Sequence, residues 1–202
     1  MTRRVEVFQR ETVFNRFIFR IDELELRHEK FDGTMGSPVK RLVFDRGPAS
    51  AVLLHDPDAD VVLMCEQFRA PTVAHGSGWL IELPAGMLDE DETAESCARR
   101  ETREETGQEV GPLTRIATFY PSPGGSSERI HLFFGRVHLR QGLSDIGGVA
   151  GEGEDIRIIL MPVKEALARL HAGEIEDAKT VIALQWLELQ LFIADEPTPP
   201  AV

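Results

Sequence analysis

Cysteine, cationic side chains and long apolar runs are all scarce in this sequence of 202 residues. The two cysteines, Cys65 and Cys97, form no C-x-x-C pair, so a disulfide framework is excluded and a reducing compartment is expected. The N-terminal segment lacks the apolar core of a signal peptide, and no apolar run is long enough to cross a bilayer. These absences predict a soluble cytoplasmic protein.

Positive charge is in deficit, because 22 Lys and Arg residues face 34 Asp and Glu residues and the formal net charge is −12. Such a surface repels nucleic acid and anionic membranes, so neither is expected as a partner. An anionic substrate would need positive charge brought to its site, and a divalent cation is the natural source. The hydrophobic content of 42% fits one globular domain with a small extra lobe.

The order of predicted elements is strands first, followed by helices mixed with strands. Apolar alternation and turn residues predict strands over residues 5–31, 39–47, 50–69, 79–86 and 156–163, with a further strand on each side of a Pro/Gly loop in 113–139. Helices are predicted over residues 92–106, 164–176 and 178–193, with Gly107 as the stop of the first. This order is typical of an α/β fold with a mixed sheet flanked by helices.

Three glutamates and three arginines crowd the stretch RRETREETG, residues 99–107. On a helix, small and acidic side chains share one face: Ala94, Cys97, Ala98, Glu101, Glu104 and Glu105. Thr102 and Thr106 fall on the opposite face. Glu101 and Glu105 repel each other at this spacing, and Mg²⁺ or Mn²⁺ between them would relieve the repulsion. The alternative is a solvated face that neighbouring arginines neutralise.

The spacing of residues over a longer stretch, 86–107, favours metal binding over a solvated face. Seven residues match the pattern G-x5-E-x7-R-E-U-x-E-E-x-G, where U is apolar: Gly86, Glu92, Arg100, Glu101, Glu104, Glu105 and Gly107. This pattern resembles the signature of the Nudix hydrolases, and seven fixed positions make it specific. Thr102 departs from it where an aliphatic residue is usual, and so does Gln108 where an apolar one is preferred. Both are packing positions, so they affect local packing more than chemistry.

The resemblance implies a Nudix α/β/α sandwich around a mixed β-sheet, with an N-terminal β lobe. Residues 1–45 would form this lobe and mediate dimerisation, residues 46–192 would form the hydrolase domain, and residues 193–202 would be a disordered tail. In the subgroup, the lobe commonly exchanges with a second copy. A homodimer is therefore the expected assembly.

The resemblance also implies a metal site. The backbone carbonyl of Ala85 would join Glu101 and Glu105 as ligands of Mg²⁺, with Mn²⁺ as a substitute. Gly86 would allow the close backbone approach. Arg100 would orient the carboxylates, Glu104 would complete the catalytic group, and Glu92 would brace the loop.

The flanking segments ELPAGMLD, SPGGSSE and GEGEDI resemble those of bacterial ADP-ribose pyrophosphatases and the related GDP-mannose hydrolases. The implied reaction is hydrolysis of the diphosphate bond of a nucleoside diphosphate sugar, with ADP-ribose giving AMP and ribose 5-phosphate. GDP-mannose hydrolysis is the alternative, favoured by GEIEDAKTV with its Lys179. A non-catalytic ADP-ribose sensor is a second alternative. Such domains usually lose a glutamate of the signature, and this chain keeps Glu101, Glu104 and Glu105.

Attack of water on phosphorus needs a base or a metal-bound hydroxide. For the base, the resemblance points to the acidic loop, where Glu152 is the first choice and Glu154 the second. Glu154 is also a candidate ligand for an additional metal ion. Arg69 resembles an arginine that contacts the phosphates, and Arg41 resembles one that reaches the partner subunit's substrate. Glu128 is a candidate acceptor for ribose hydroxyls or metal-bound waters, and Phe17 is a candidate for stacking on the base.

Overall fold

Two units make up the chain in the computed structural model, which describes residues 3–139, 145–148 and 155–195. One unit covers Met1–Pro48 and Tyr120–Arg129, and the other covers Ala49–Phe119 and Ile130–Val202. The chain therefore leaves the second unit after Phe119 and re-enters it at Ile130.

The first unit is built on a three-stranded antiparallel sheet. Its strands, in spatial order, are β1 (Val5–Arg16), β2 (Phe19–His28) and β3 (Val39–Asp45). The Tyr120–Arg129 segment joins β3 through the backbone, because the Phe44 N–H donates to the Gly125 carbonyl at 2.8 Å. Large apolar side chains of β1 and its following turn remain exposed: Val5, Val7, Phe8, Val13, Phe14, Phe17 and Ile18.

A mixed sheet forms the second unit, with eight strands among the described residues. The strands are β4 (Ala49–Asp56), β5 (Val61–Phe68), β6 (Trp79–Glu82), β7 (Ala85–Met87), β8 (Leu113–Phe119), β9 (Ile130–Arg136), β10 (Ile146–Gly147) and β11 (Ile156–Pro162). Six follow the order β10-β11-β5-β4-β9-β8, while β6 pairs with β5 and β7 with β4. β4 runs parallel to β9, and the other pairs are antiparallel, so the predicted mixed sheet is confirmed.

Helices cover both faces of this sheet. They are α1 (Ala94–Thr106), α2 (Val163–Ala172) and α3 (Ala178–Asp195), and a short 3₁₀ helix, Ala70–Ala74, follows β5. Successive side chains of a strand point to opposite faces. Accordingly, Leu53 of β4 packs in a core cluster with residues of α2 and α3, and Leu54 packs in a second cluster with Ala98 of α1. The predicted α/β/α sandwich is confirmed.

The C-terminal ends of two helices differ from the sequence prediction. The helix predicted over 164–176 is too long at its C-terminal end, because α2 ends at Ala172. Gly173 adopts φ 73°, in the left-handed region, and its N–H donates to the Arg169 carbonyl, which closes the helix. In contrast, α3 continues to Asp195, within the segment 193–202 that we expected to be a disordered tail. Residues 196–202 lie outside the described part of the chain.

Candidate active site

α1 begins and ends at residues whose chemistry fixes its position. Thr93 is the N-cap, and its side chain accepts a hydrogen bond from the Ser96 N–H, while the Ser96 hydroxyl in return accepts one from the Thr93 N–H. Gly107 follows the last turn with φ 66°, a conformation that favours glycine, and its N–H donates to the Arg103 carbonyl. The predicted C-terminal stop is therefore confirmed. These caps set which residues of the helix face the sheet.

The buried face of α1 is wider than the sequence analysis predicted. Thr102 and Thr106 were expected on the opposite face, and this is wrong, because the two residues are 0% and 1% exposed. Their hydroxyls are satisfied within the helix, since the Thr102 Oγ1 donates to the Ala98 carbonyl at 2.7 Å and the Thr106 Oγ1 donates to the Thr102 carbonyl. Thr102 thus fills the position where an aliphatic residue is usual without leaving a polar atom unpaired.

Glu101 and Glu105 of α1 lie against the first two residues of β7, Ala85 and Gly86. Glu101 is 9% exposed and Glu105 is 4% exposed. The Ala85 N–H donates to the Glu105 Oε2 at 3.1 Å. The Glu101 carboxylate lies so close to Gly86 that a Cβ there would be 1.8 Å from the Glu101 Oε1. Gly86 is therefore required for the close approach of this carboxylate to the backbone.

Arg100 holds the surrounding acids in place. Its Nη1 donates to the Glu101 Oε1 at 2.7 Å and to the Glu104 Oε2 at 2.9 Å. Its Nε and Nη2 donate to the two carboxylate oxygens of Glu92 at 3.1 and 3.0 Å, and its Nη2 also reaches the Met87 carbonyl. Glu92 in turn accepts from the Asp89 N–H at 3.0 Å, which ties the loop before α1 to this arginine. We call Arg100, Glu92, Glu101 and Glu104 the box cluster.

Acidic side chains outnumber basic ones in the box cluster, because the single guanidinium of Arg100 pairs with three carboxylates. The hydrogen bonds from Arg100 lower the pKa of Glu92 below its usual value, and the carboxylates raise the pKa of Arg100, with Glu92 the largest cause. The cluster therefore contains three acidic side chains and one basic side chain. Hard oxygen donors on a buried face, in excess of the cations that serve them, fit a divalent cation such as Mg²⁺.

A second ionic cluster lies at the end of β6 and centres on Glu82, which is 4% exposed. Arg69 is bidentate to this carboxylate at 2.7 and 3.2 Å, and the Lys179 Nζ donates to it at 2.5 Å. Lys179 also donates to the Asp177 Oδ1 at 3.0 Å. Burial alone would raise the pKa of Glu82, but Lys179 and Arg69 together lower it. We call Glu82, Arg69, Lys179 and Asp177 the Glu82 cluster.

Sequence patterns do not reveal the Glu82 cluster as a unit. They indicate Arg69 as a phosphate contact and Lys179 as a marker of the substrate class, but they do not indicate Glu82 or Asp177. The available signal was an acid at an inward position of the strand WLIE, a place where an unpaired carboxylate is costly. Its partner Lys179 lies 97 residues away, so local spacing could not identify the pair.

The remaining predicted residues fall outside these two clusters. Arg41 on β3, Glu128 and Phe17 belong to the first unit. Arg41 is exposed and donates to the Lys40 carbonyl, and Glu128 lies 3.6 Å from the Arg46 Nε. Phe17 is 87% exposed with φ 55°, an uncommon conformation for a bulky residue. Glu152 and Glu154 lie outside the described residues.

Asp56, Asp58 and His138 also bring potential metal-ligand atoms within 4.8 Å of one another. The Asp56 carboxylate is already used by the backbone, because Oδ1 accepts from the Asp58 N–H at 2.9 Å and Oδ2 from the Leu139 N–H at 2.8 Å. These bonds lower the pKa of Asp56, with Leu139 the largest cause. This group therefore acts as a cap for the turn after β4.

Neither cysteine offers a reactive thiol. Both are free and buried. Burial raises the pKa of Cys97 to about 12 and that of Cys65 well above its usual value.

Within the described residues, no helix combines the length and apolar character that crossing a membrane requires.

The family model of the NUDIX domain matches residues 45–185 of this chain. The ADP-ribose pyrophosphatase of Escherichia coli K12 is 41% identical over 186 residues, which cover 92% of this chain and 88% of that protein. The ADP-ribose pyrophosphatase of Haemophilus influenzae is 38% identical over 189 residues, with 92% and 86% covered.

A second activity occurs among the relatives. The GDP-mannose pyrophosphatase of Citrobacter koseri is 44% identical over 156 residues, covering 76% of this chain and 80% of that protein. A crystal structure of an ADP compounds hydrolase superposes with a TM-score of 0.70 over 95% of this chain and 96% of its own, at 18% identity, and so supports the fold alone. With the signature residues assembled on β7, the loop that follows it and α1, the chain belongs to the Nudix hydrolase family.

Proposed function

We propose that this enzyme hydrolyses the diphosphate bond of a nucleoside diphosphate sugar, with ADP-ribose as the first substrate and AMP and ribose 5-phosphate as products. The observation that carries the proposal is the approach of two buried glutamates, Glu101 and Glu105, to the backbone of Ala85 and Gly86. Support for ADP-ribose comes from relatives of that activity that align with 92% of the chain.

The proposed metal site consists of Glu101, Glu105 and the Ala85 carbonyl, with Glu154 as a ligand for an additional ion. Mg²⁺ is the proposed ion and Mn²⁺ its substitute, because all these donors are hard oxygens. A divalent cation bound there would offset the charge of the diphosphate and help to activate the attacking water. Arg100 holds the carboxylates of Glu101 and Glu104 in a fixed orientation, and Glu104 is proposed to complete the catalytic group.

Substrate binding is assigned to side chains that can match a diphosphate and a nucleoside. Arg69 keeps 40% of its side chain exposed while Glu82 orients it, so its guanidinium is available to an anionic substrate. Arg41 is proposed to reach the partner subunit's substrate, Glu128 to accept from ribose hydroxyls, and Phe17 to stack on the base.

The general base is proposed to be Glu152, with Glu154 as the alternative. A Glu152→Gln and Glu154→Gln pair tests the assignment. Only the variant that lacks the base should lose the dependence of kcat on the ionisation of that carboxylate, measured as the acidic limb of the pH profile.

Hydrolysis of GDP-mannose is the second candidate function. The observation in its favour is the 44% identity to the GDP-mannose pyrophosphatase of Citrobacter koseri, together with Lys179 beside Glu82. The sensor alternative is less well supported, because Glu101, Glu104 and Glu105 are all retained.

The assembly is proposed to be a homodimer formed through the N-terminal β lobe, residues 1–45. Support comes from the exposed apolar side chains of β1, including Val7, Phe8 and Phe14, each about half exposed. Light scattering on the purified protein tests the dimer, and a monomer at micromolar concentration would contradict it.

A cytoplasmic location is proposed from the two free, buried cysteines, which suit a reducing compartment.

One experiment tests both the activity and the site. The protein is incubated with Mg²⁺ and ADP-ribose, GDP-mannose, ADP-glucose or NADH, and product release is measured for the wild type and for Glu105→Gln. We expect hydrolysis of ADP-ribose in preference to the others, and a loss of roughly 10³-fold in kcat in the variant, because a carboxylate that binds the cation is removed. Binding of every compound without cleavage would favour the sensor, and full activity of Glu105→Gln would disprove its role.

A further inference from the structure

The turn that joins β6 to β7 is held by four contacts from different parts of the second unit. The Glu82 side chain binds Lys179, the Leu83 N–H donates to the Thr180 Oγ1, the Pro84 carbonyl accepts from the Val52 N–H, and the Ala85 N–H donates to the Glu105 Oε2. Two of the four partners, Lys179 and Thr180, belong to the first turn of α3. The N-terminus of this helix is therefore coupled to the backbone that precedes Gly86.

Thr180 is the central link. Its hydroxyl donates to the Asp177 Oδ2 at 2.6 Å and accepts from the Leu83 N–H at 3.0 Å. Asp177 Oδ2 also accepts from the Thr180 N–H at 3.0 Å, which makes Asp177 the N-cap of α3. Thr180 is 0% exposed and Leu83 is 2% exposed, so neither group can turn to solvent instead. Because the hydroxyl proton is used by Asp177, its oxygen is directed at Leu83.

We propose that Asp177 and Thr180 are positioning residues that set the β6–β7 turn against Glu101 and Glu105. This inference rests on the proposed function, in which the Ala85 carbonyl and the two glutamates bind a divalent cation. Only Pro84 separates Leu83 from Ala85 in the sequence. A shift of the Leu83 amide would therefore move the Ala85 carbonyl, which is a proposed ligand of the cation. A displacement of a few tenths of an ångström weakens oxygen coordination, since ligand geometry sets affinity.

The alternative is that Thr180 only stabilises the core, and the two roles differ in what a substitution changes. Thr180→Val keeps the shape and removes the hydroxyl, which leaves the buried Leu83 N–H without its acceptor. A purely structural role predicts lower stability with unchanged affinity for the cation. A positioning role predicts weaker cation binding at a temperature where the variant remains folded. Thr180→Ser keeps the hydroxyl and is the matched control.

The test measures binding of Mn²⁺ to the substrate-free protein by electron paramagnetic resonance, with circular dichroism to verify folding. We expect Thr180→Val to raise the Mn²⁺ dissociation constant about tenfold and Thr180→Ser to stay within about twofold of the wild type. The Mg²⁺ concentration for half-maximal activity should rise in parallel, while KM for the sugar nucleotide at saturating Mg²⁺ changes less.

Three outcomes would overturn the inference. If Thr180→Val is folded and binds Mn²⁺ as the wild type does, Thr180 has a structural role only. If Thr180→Val does not fold, Asp177→Asn replaces it, because Asn caps helices well but accepts a weaker hydrogen bond from Thr180; unchanged Mn²⁺ affinity then rejects the proposal. If the wild-type protein itself binds no Mn²⁺, the proposed cation site is wrong, and this failure is distinguishable because it appears before any substitution.

Discussion

The box cluster and the Glu82 cluster differ in their balance of charge, because acids outnumber cations in the first and equal them in the second. In the box cluster one cation, Arg100, serves three carboxylates. In the Glu82 cluster the carboxylates of Glu82 and Asp177 meet two cations, Arg69 and Lys179. A buried group of charges is stable by itself only when its members are paired. The difference therefore separates a cluster that supports the structure from one that is suited to a further cation.

The largest effect is expected where the balanced cluster is broken. Glu82→Gln removes the anion that Arg69 and Lys179 share, and leaves two cations with one carboxylate, Asp177. Lys179 is 8% exposed, so the net positive charge left in the cluster should lower the free energy of unfolding by about 3 kcal/mol. Urea denaturation at neutral pH measures the change.

A matched control is available on the exposed face of α1. Glu95→Gln also removes a glutamate from an arginine pair, but Glu95 is 57% exposed in its pair with Arg99. The expected loss is below about 0.5 kcal/mol. Equal losses in the two variants would contradict the distinction between the clusters.

An intermediate effect is expected from crowding the box cluster. In Gly86→Ala the new Cβ would lie 1.8 Å from the Glu101 Oε1, so the carboxylate must move. We expect kcat/KM to fall about 10- to 100-fold, or about 1.4 to 2.7 kcal/mol, because displacing Glu101, a proposed metal ligand, would weaken transition-state stabilisation. Gly111→Ala is the control, since its Cβ would meet the Arg136 carbonyl at an ordinary 3.6 Å. Unchanged activity in Gly86→Ala would show that catalysis does not require the Glu101 carboxylate in its position beside Gly86.

The smallest effect concerns pH. The pKa of Glu92 in the folded state lies below its ordinary value of 4.5, chiefly because Arg100 donates to it. A lowered pKa contributes stability above the unfolded value, and this contribution is lost as the pH falls through the folded value. The stability advantage of wild type over Glu92→Gln should therefore be present at pH 7 and shrink at pH 3. Denaturation midpoints at both pH values test this, and a constant advantage would mean that the ionised form is not what stabilises the fold.

Much of α1 could be predicted from sequence because its signals are local. The stop at Gly107 follows from the backbone freedom of glycine, and the spacing of Glu101 and Glu105 places both on one face. The width of the buried face was not predictable from spacing. Thr102 and Thr106 look polar on a helical wheel, yet each hydroxyl bonds to its own helix and the methyl group is free to pack.

The Glu82 cluster could not be predicted because its members are distant in sequence. Glu82 and Lys179 are brought together only when β6 and α3 have both packed on the sheet. The end of α2 shows a similar limit, since the apolar pattern of residues 164–176 continued past Gly173 and the conformation of one glycine decided the boundary. The seven-residue signature was informative for the opposite reason, because its members lie within 22 consecutive residues, from Gly86 in β7 to Gly107 at the end of α1.

The hydrogen bond between the Leu83 N–H and the Thr180 hydroxyl spans 97 positions of chain. During synthesis, every acidic residue of the signature leaves the ribosome well before Thr180 does. Closing so long a loop is a late event with a large entropic cost. A chain truncated after Gly173 would therefore carry the whole signature and still lack the support for its turn. If Thr180 has the proposed positioning role, cation binding would therefore depend on α3, the last helix of the described residues to be synthesised.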